Sequence, residues 1–301
     1  MGRQFHGGNA SRAGKRVPAV IRIAVASGKG GTGKTTVATS LARVLARDHS
    51  VHLLDCDVEA PNAALLLRPR IDGIDNVTRP VPVVDHSLCD RCGKCSDVCH
   101  FHAIATTAKR VLLFPELCHG CGACTRVCPT GAISESDRTV GQIAKGWAGK
   151  IQFTEGRLNP GETATVQVIR AVRRNEGRAG VVILDSPPGT SCPLVAAVEG
   201  ADWVVLVTEP TPFGLNDLCL AVETARMLAL RIGVVINRDG TGDDRIDRYC
   251  AAAEIPIIGR IAEDRKVAEA YSRGDLPLDT LPGFNDQIEA IGHLLTAEVF
   301  A

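Results

Sequence analysis

The chain has 301 residues, and its 34 basic and 34 acidic side chains cancel to a formal net charge of zero. This balance argues against nucleic acid or an acidic membrane surface as the partner, and an aromatic content of 4% argues against platforms for base stacking. No apolar run approaches the roughly 18 residues that are needed to span a bilayer. Residues 1–17 carry four basic and no acidic side chains and lack the apolar centre of a secretory signal, so we predict a flexible basic tail and a cytoplasmic protein.

A glycine-rich loop lies between an apolar run at residues 21–25 and a stretch with apolar residues at helical spacing from Val37 to Arg47. Strand, loop and helix together predict a phosphate cradle. Its sequence fits the whole Walker A pattern, in which backbone N–H groups surround the phosphates, the lysine reaches the β- and γ-phosphates and the hydroxyl ligates Mg²⁺. A turn of purely structural use rarely ends in Gly-Lys-Thr between a strand and a helix. The predicted nucleotide-binding residues are Gly28, Gly30, Gly31, Thr32, Gly33, Lys34, Thr35 and Thr36, with Thr35 also a magnesium ligand.

Lys29 puts a second lysine inside this loop. The resulting Lys-Gly-Gly-x-Gly-Lys-Thr resembles the deviant Walker A motif of the ATPase class that contains MinD, ParA, the Mrp-type iron–sulfur carriers and the nitrogenase iron protein. The resemblance implies an ATP-dependent homodimer, in which Lys29 reaches the nucleotide of the other subunit and acts in catalysis together with Lys34. The alternative is that Lys29 is a solvated surface lysine.

Two later apolar runs end in acidic residues, one at Asp55 and Asp57 and the other at Asp185. Because the carboxyl ends of parallel strands line the ligand crevice of a doubly wound sheet, we expect these carboxylates near the phosphates. The resemblance implies that Asp57 orients or deprotonates the attacking water, and that Asp55 supports the Mg²⁺ shell. Asp185 resembles the Walker B aspartate, which holds Mg²⁺ through water. The alternative for Asp55 and Asp57 is that they merely end a strand.

The resemblance implies two further contacts to the nucleotide. Gly189, in the segment Asp-Ser-Pro-Pro-Gly, would sense the γ-phosphate through its N–H group, and Asn237, after the apolar run at 232–236, would bind the adenine edge. Cys192 lies seven residues after Asp185, the offset of a cluster-ligating cysteine in the nitrogenase iron protein. It could ligate a bridging cluster, take a cluster in transit, or pack as a small buried hydrophobe.

Eight of the twelve cysteines form two copies of Cys-x2-Cys-x2-Cys-x3-Cys that are 29 residues apart. In a chain without a secretory signal, such clustering favours metal or redox use over disulfides. The spacing is that of bacterial ferredoxins with two [4Fe–4S] clusters, in which the fourth cysteine of each copy ligates the other cluster. The alternative is a pair of zinc sites, for which each loop carries one thiol too many. Cluster one is predicted to take Cys89, Cys92, Cys95 and Cys128, and cluster two Cys118, Cys121, Cys124 and Cys99.

These patterns predict an α/β fold in which a doubly wound, mostly parallel sheet forms a P-loop NTPase domain from residues 18–84 and 140–301. A small α+β domain of ferredoxin type is predicted at residues 85–139. The glycine and prolines of residues 72–84 predict an edge strand before this insertion, and Pro256 predicts a second edge strand at 255–258. The final predicted helix, from Leu281, should pack in the core rather than anchor to a membrane, because its last 18 residues lack Lys and Arg. Its apolar face is predicted to comprise Ile288, Ile291, Leu294 and Leu295.

Two functions fit these predictions, and both require ATP, Mg²⁺ and two [4Fe–4S] clusters. In the first, a dimeric ATPase couples hydrolysis to electron transfer through the clusters toward a redox partner, because closure of the nucleotide loops alters cluster exposure and potential. In the second, the ATPase delivers a cluster to a metalloprotein. A positioning ATPase such as ParA is disfavoured, because basic and membrane-binding surfaces are missing.

Overall fold

A computed structural model describes residues 20–177 and 180–300. The predicted tail at residues 1–17 lies outside the described residues. The strands are β1 (Ile21–Ala26), β2 (Val51–Asp55), β3 (Arg70–Val84), β4 (Ile104–Thr106), β5 (Val111–Leu113), β6 (Ile133–Ala148), β7 (Ile151–Leu158), β8 (Val181–Asp185), β9 (Trp203–Thr208), β10 (Ile232–Asp239) and β11 (Ile257–Ala262). The helices are α1 (Lys34–Leu45), α2 (Ala63–Leu67), α3 (Lys94–Asp97), α4 (Ala123–Val127), α5 (Thr165–Arg174), α6 (Cys192–Val198), α7 (Pro212–Met227), α8 (Arg245–Ala252), α9 (Arg265–Ser272) and α10 (Pro282–Phe300).

Nine strands form one sheet in the order β11-β10-β9-β1-β8-β2-β7-β6-β3. The seven strands from β11 to β7 run parallel, and β6 and β3 extend the sheet antiparallel. The predicted α/β fold with a mostly parallel sheet is confirmed. The two predicted edge strands, β3 and β11, also lie at the edges. Pro80 and Pro82 are tolerated within β3 because an edge strand pairs on one side only, whereas Pro256 lies just before β11.

The central strands are buried on both faces, which explains their nearly continuous apolar sequences. In β1, Ile21, Ile23 and Val25 pack in a layer with α1 and α10, whereas Ala24 and Ala26 pack in the opposite layer with α5, α6 and α7. Successive side chains of a strand point to opposite faces, so both sets of β1 residues are removed from water.

The C-terminal helix α10 packs against α1 and β11, as predicted. Ile288, Ile291 and Leu295 are buried, but Leu294 is exposed, so its predicted core position is wrong. A 3.6-residue turn puts 288, 291 and 295 on one stripe and residue 294 on its flank. No helix within residues 20–177 and 180–300 has the length and hydropathy to cross a bilayer.

Strands β3 and β6 form an antiparallel ribbon, and both cysteine motifs lie in the connection between Val84 and Ile133 at its end. Within this connection, β4 and β5 form a separate two-stranded sheet. The predicted domain boundary at residues 139 and 140 falls inside β6, because the antiparallel pairing continues from Ile133 to Trp147. Residues 159–164 form the loop between β7 and α5, which begins at Thr165.

Candidate functional site

A cleft of about 660 Å³ opens where the carboxyl ends of β1, β2 and β10 meet. This edge is the place where open parallel sheets bind ligands. Of the predicted site residues, its wall contains Gly30, Gly31, Gly33, Lys34, Thr35, Thr36, Asp57 and Asn237. The other predicted residues, Gly28, Lys29, Thr32, Asp55, Asp185 and Gly189, are not part of this wall.

The loop after β1 leaves the start of α1 free of side-chain caps. Gly33 takes the N-cap position with φ 91°, a conformation that suits glycine, and an added Cβ would collide with the amide of Asn237. No acidic residue lies in the first turn of α1, and Lys34, Thr35 and Thr36 are buried. Uncapped N–H groups and the helix dipole make this end of α1 suited to an anion. The donors of this loop therefore fit a phosphate chain.

Three carboxylates lie in one row across β8, β2 and β7, because Asp55 is in register with both Asp185 and Glu155. All three residues are buried. Asp55 accepts hydrogen bonds from the backbone N–H groups of Asp57 at 3.1 Å, Asn62 at 3.1 Å and Ala63 at 3.0 Å. Asp55 thus holds the loop of residues 56–62, here called the switch loop.

Asp185 differs from Asp55 in having no hydrogen-bond partner for either carboxylate oxygen among the described residues. The Thr35 hydroxyl lies near this carboxylate without forming a hydrogen bond of regular geometry. Burial raises the pKa of Asp185 to about 7, while Thr35 and Lys34 act in the opposite direction. A buried carboxylate without partners beside a threonine hydroxyl is a donor set that fits Mg²⁺.

Charges in the cleft are incompletely compensated. Burial lowers the pKa of Lys34, against the attraction of Asp185, Asp57 and Asp55. Burial raises the pKa of Asp57, and Lys34 lowers it in part. Burial also raises the pKa of Asp55 strongly, and the neighbouring carboxylates of Asp185 and Glu155 add to this effect. Bound cations would relieve this repulsion.

Two residues predicted to contact the nucleotide make protein contacts. The N–H of Gly189 donates to the carbonyl of Ser27 at 3.1 Å. Nδ2 of Asn237 donates to the carbonyl of Thr32 at 2.8 Å, and its Oδ1 accepts from the N–H of Arg238 at 3.0 Å. Since an amide nitrogen carries two hydrogens, Asn237 keeps one donor for a ligand.

Lys29 forms an ion pair with Glu209, with 3.6 Å between Nζ and Oε2. Arg238 pairs with the other oxygen of Glu209 at 2.9 Å. Glu209 is largely buried and follows β9 in the segment Thr-Glu-Pro. In this conformation Lys29 is therefore held by its own chain.

Four cysteines line one small cavity at the end of the β3–β6 ribbon: Cys99, Cys118, Cys121 and Cys124. They are the four that the sequence assigns to cluster two. Backbone N–H groups point at two of the sulfurs, from Ala103 to Cys99 at 3.3 Å and from Gly120 to Cys118 at 3.4 Å. The turns take positive φ at Gly93, Gly120 and Gly122. A cavity lined by four thiols, with N–H groups directed at sulfur, has the chemistry of an iron–sulfur site.

The cysteines assigned to cluster one are arranged differently. Cys95 is buried in a small core with Ile104, Val111 and Ile133, while Cys89 and Cys128 pack against this core and Cys92 is exposed. Throughout residues 20–177 and 180–300, no three thiol, imidazole or carboxylate groups are close enough to hold a single metal ion. The four thiolates of a cuboidal cluster bind four separate irons, so they surround a larger body than one ion.

Residues 23–278 match the model of the family described as CobQ/CobB/MinD/ParA nucleotide binding domain. The chain belongs to this family. An uncharacterized protein of Methanocaldococcus jannaschii is 36% identical over 223 residues, which cover 73% of this chain and 79% of that protein.

Other MinD/ParA relatives carry functional names. An iron-sulfur cluster carrier protein of Pyrococcus horikoshii is 25% identical over 269 residues, which cover 84% of this chain and 77% of that protein. Among solved structures, the septum site-determining protein MinD of Pyrococcus horikoshii, complexed with Mg-ADP, matches with a TM-score of 0.59 and 17% identity over 93% of this chain and 98% of that one. At this identity the structural likeness shows the fold.

Sequence reasoning missed Glu155 and Glu209. Glu209 is a buried acid just after the carboxyl end of β9, and Glu155 is a buried acid inside β7, at the last residue that pairs with β2. The rule that acids at the carboxyl ends of parallel strands line the ligand crevice, which identified Asp55 and Asp185, would have found Glu209 but not Glu155. Cys192 is exposed at the start of α6, so the interpretation as a buried hydrophobe is wrong.

Proposed function

We propose that this chain is an ATP-hydrolysing iron–sulfur protein that delivers a cluster to a partner metalloprotein. The single observation that carries the proposal is the presence in one chain of an uncapped phosphate loop and a cavity lined by four cysteines. The naming of MinD/ParA relatives as iron-sulfur cluster carrier proteins supports it.

In the nucleotide cleft, Lys34 and the N–H groups at the start of α1 would bind the β- and γ-phosphates of ATP. Thr35 and Asp185 would hold Mg²⁺, which neutralises phosphate charge when bound. Asp57, at the cleft wall, would orient the attacking water. Asp55 would keep the switch loop in place through its three backbone hydrogen bonds.

The proposal includes a homodimer in which Lys29 reaches the nucleotide of the second subunit. For that contact Lys29 must leave Glu209, and Arg238 remains to pair with the freed carboxylate. The exchange moves one exposed cation and keeps Glu209 neutralised, so its cost is small.

In the cysteine region, residues 85–132, the proposed ligands are those of cluster one and cluster two. Cys192 is a third proposed position for a cluster in transit, because it is exposed and its neighbours Ser191 and Pro193 line the nucleotide cleft. A cluster there would lie beside the loop that follows Asp185.

The test is cluster transfer from the anaerobically purified full chain to an iron-free [4Fe–4S] acceptor enzyme, with Mg-ATP, with Mg-ADP and without nucleotide. The proposal expects transfer that depends on ATP, is lost in Lys34→Met and is reduced in Cys192→Ala at unchanged iron content. Transfer at the same rate in all three conditions would contradict an ATP-driven carrier.

Electron transfer to a redox partner is the second candidate, favoured by the doubled ferredoxin spacing of the cysteines. It predicts that the acceptor is reduced while the chain keeps its iron, and that nucleotide shifts a cluster potential. Counting iron on the chain after turnover separates the two candidates.

A further inference from the structure

Residues 159–165, the loop after β7 together with the first residue of α5, contact both the nucleotide cleft and the cysteine region; we call them the bridging segment. On the cleft side, the hydroxyl of Thr165 donates to Oε1 of Glu59 in the switch loop at 2.8 Å. Thr165 and Glu59 both line the cleft. The N–H of Leu158, just before the segment, donates to the carbonyl of Val58 at 2.8 Å. The bridging segment and the residue before it are therefore hydrogen-bonded to the switch loop at two points.

On the other side, the same segment binds the residues that precede Cys118. The hydroxyl of Thr163 donates to the carbonyl of Glu116 at 3.1 Å. Nη2 of Arg79 bonds both Oε2 of Glu162 and the carbonyl of Pro115, each at 3.1 Å. The same Pro115 carbonyl accepts from the N–H of Cys118 at 3.2 Å. Two residues after Cys118, Gly120 packs on the Arg79 side chain. A Cβ added to Gly120 would lie 3.0 Å from Cγ of Arg79.

The Arg79–Glu162 pair is buried, with side-chain exposures of 2% and 4%. Arg138 binds the second oxygen of Glu162 at 2.7 Å, so both carboxylate oxygens are used. Buried charges that lose a partner are strongly unfavourable, which leaves this contact little freedom to slip. If the bridging segment moves, residues 115–118 should therefore move with it.

Cluster one has no equivalent connection. No hydrogen bond or ion pair among the described residues joins the bridging segment to residues 89–95, the loop that carries three of the four cluster-one cysteines; Arg91 in this loop bonds the nearby carbonyl of Ala108 instead. The two motifs have the same cysteine spacing, but among the described residues only the second is hydrogen-bonded to the bridging segment through the residues before Cys118.

We propose that the bridging segment couples the nucleotide state of the cleft selectively to cluster two. The inference rests on the proposed function, since it assumes that a nucleotide orders the switch loop. In this account Glu162 and Thr163 are positioning residues, because a shift of the switch loop moves the turn before Cys118 through their contacts. The site of Cys118, Cys121, Cys124 and Cys99 becomes less mobile when ATP is bound. Cluster one is independent of nucleotide.

The test is amide hydrogen exchange of the full chain under anaerobic conditions, with and without the non-hydrolysable analogue Mg-AMPPNP at concentrations that saturate each variant. The variants are Glu162→Gln and Thr163→Val, of which the second is the milder change because Thr163 is exposed. Thr107→Val is the matched control, because Thr107 makes a comparable hydroxyl-to-carbonyl bond to Arg110 in the same region but away from the bridging segment.

We expect AMPPNP to slow exchange of residues 115–122 about tenfold, within the range typical of coupled sites, and to leave residues 89–96 unchanged. This protection should disappear in Thr163→Val and Glu162→Gln and persist in Thr107→Val. Equal protection of both cysteine loops, no protection in the parent chain, or protection retained in the two bridging variants would overturn the coupling.

Iron and sulfide counts on the same samples separate this proposal from the proposed function. If the chain holds both clusters but the bridging variants keep full protection, the coupling is wrong and the function stands. If the protection pattern is as expected but no cluster is bound, the proposed function is wrong, and the bridging segment couples the cleft to the loop of Cys118 without a cluster.

Discussion

The nucleotide cleft and the cysteine region differ in how their geometry is held. The cleft lies on the ends of central strands that pack between two large apolar layers. The cysteine loops lie on a core of four buried residues, Cys95, Ile104, Val111 and Ile133. The cleft is therefore preorganised by the fold, whereas the cysteine region has only a small core, and the proposed clusters would add to its stability, as metals do in small metal-binding domains.

The largest expected effect is confined to the cleft. Replacing Lys34 by Met removes the buried cation that faces three acids, and we expect ATP hydrolysis to fall about a hundredfold or more, as when a preorganised charge is removed from an active site. Iron content should stay unchanged, because no residue of the cysteine region lines the cleft.

The matched control for that change is Lys150→Met, an exposed lysine outside the cleft, which should keep full activity. An equal loss in both variants would show that the cleft is not the site of hydrolysis.

The next largest effects are expected from core substitutions, which should show that the sheet and the cysteine region differ in stability. Ile183→Ala, in the centre of the sheet, should lower the free energy of unfolding of the whole chain by about 4 kcal/mol, in the range for buried large-to-small changes. Ile133→Ala should mainly open residues 85–132 locally, seen as faster amide exchange there with little change in the global denaturant midpoint. Equal losses of global stability would mean that the two regions unfold as one unit.

Acid should destabilise the sheet beneath the cleft. Burial lowers the pKa of His52 to about 4 from 6.5, with its Nδ1 accepting from the N–H of Gly177 and its Nε2 facing the Thr154 hydroxyl. Between these values the unfolded chain binds a proton that the folded chain excludes, so stability is lost as the pH falls from 6.5 to 4, by about 3 kcal/mol.

Comparing denaturant midpoints of the parent chain and His52→Asn across that pH range isolates this contribution. The exposed His86→Asn serves as the control and should keep the parent slope. If His52→Asn keeps that slope as well, another group is responsible for the acid sensitivity.

The smallest expected effect concerns Lys29. Glu209→Gln removes its negatively charged partner, and because the pair is partly exposed, freeing Lys29 should favour ATP-dependent dimerisation only about twofold to fivefold. Sedimentation at several protein concentrations measures this. Weaker dimerisation in Glu209→Gln would indicate that Glu209 supports the dimer contact instead of holding Lys29 away from it.

Features that depend on residues close in sequence were the predictable ones. Local spacing predicts the phosphate loop and the acids at the ends of β2 and β8. Proline predicts the two edge strands. The Arg79–Glu162 pair joins residues 83 positions apart and follows no local pattern, so the sequence did not predict it. The length of β6 was also not predictable, because its pairing with β3 continues past residues that look like a domain boundary. The prediction for Leu294 was wrong because the spacing of apolar residues predicts an apolar face of α10 but not which residues at its margin contact the rest of the protein.

The most direct test of the account is to measure iron, acid-labile sulfide, zinc and ATP binding on one anaerobically purified sample of the full chain. Two cuboidal clusters predict about eight iron and eight sulfide per chain together with binding of Mg-ATP. Bound zinc without sulfide, or a chain that fails to bind ATP, would contradict it.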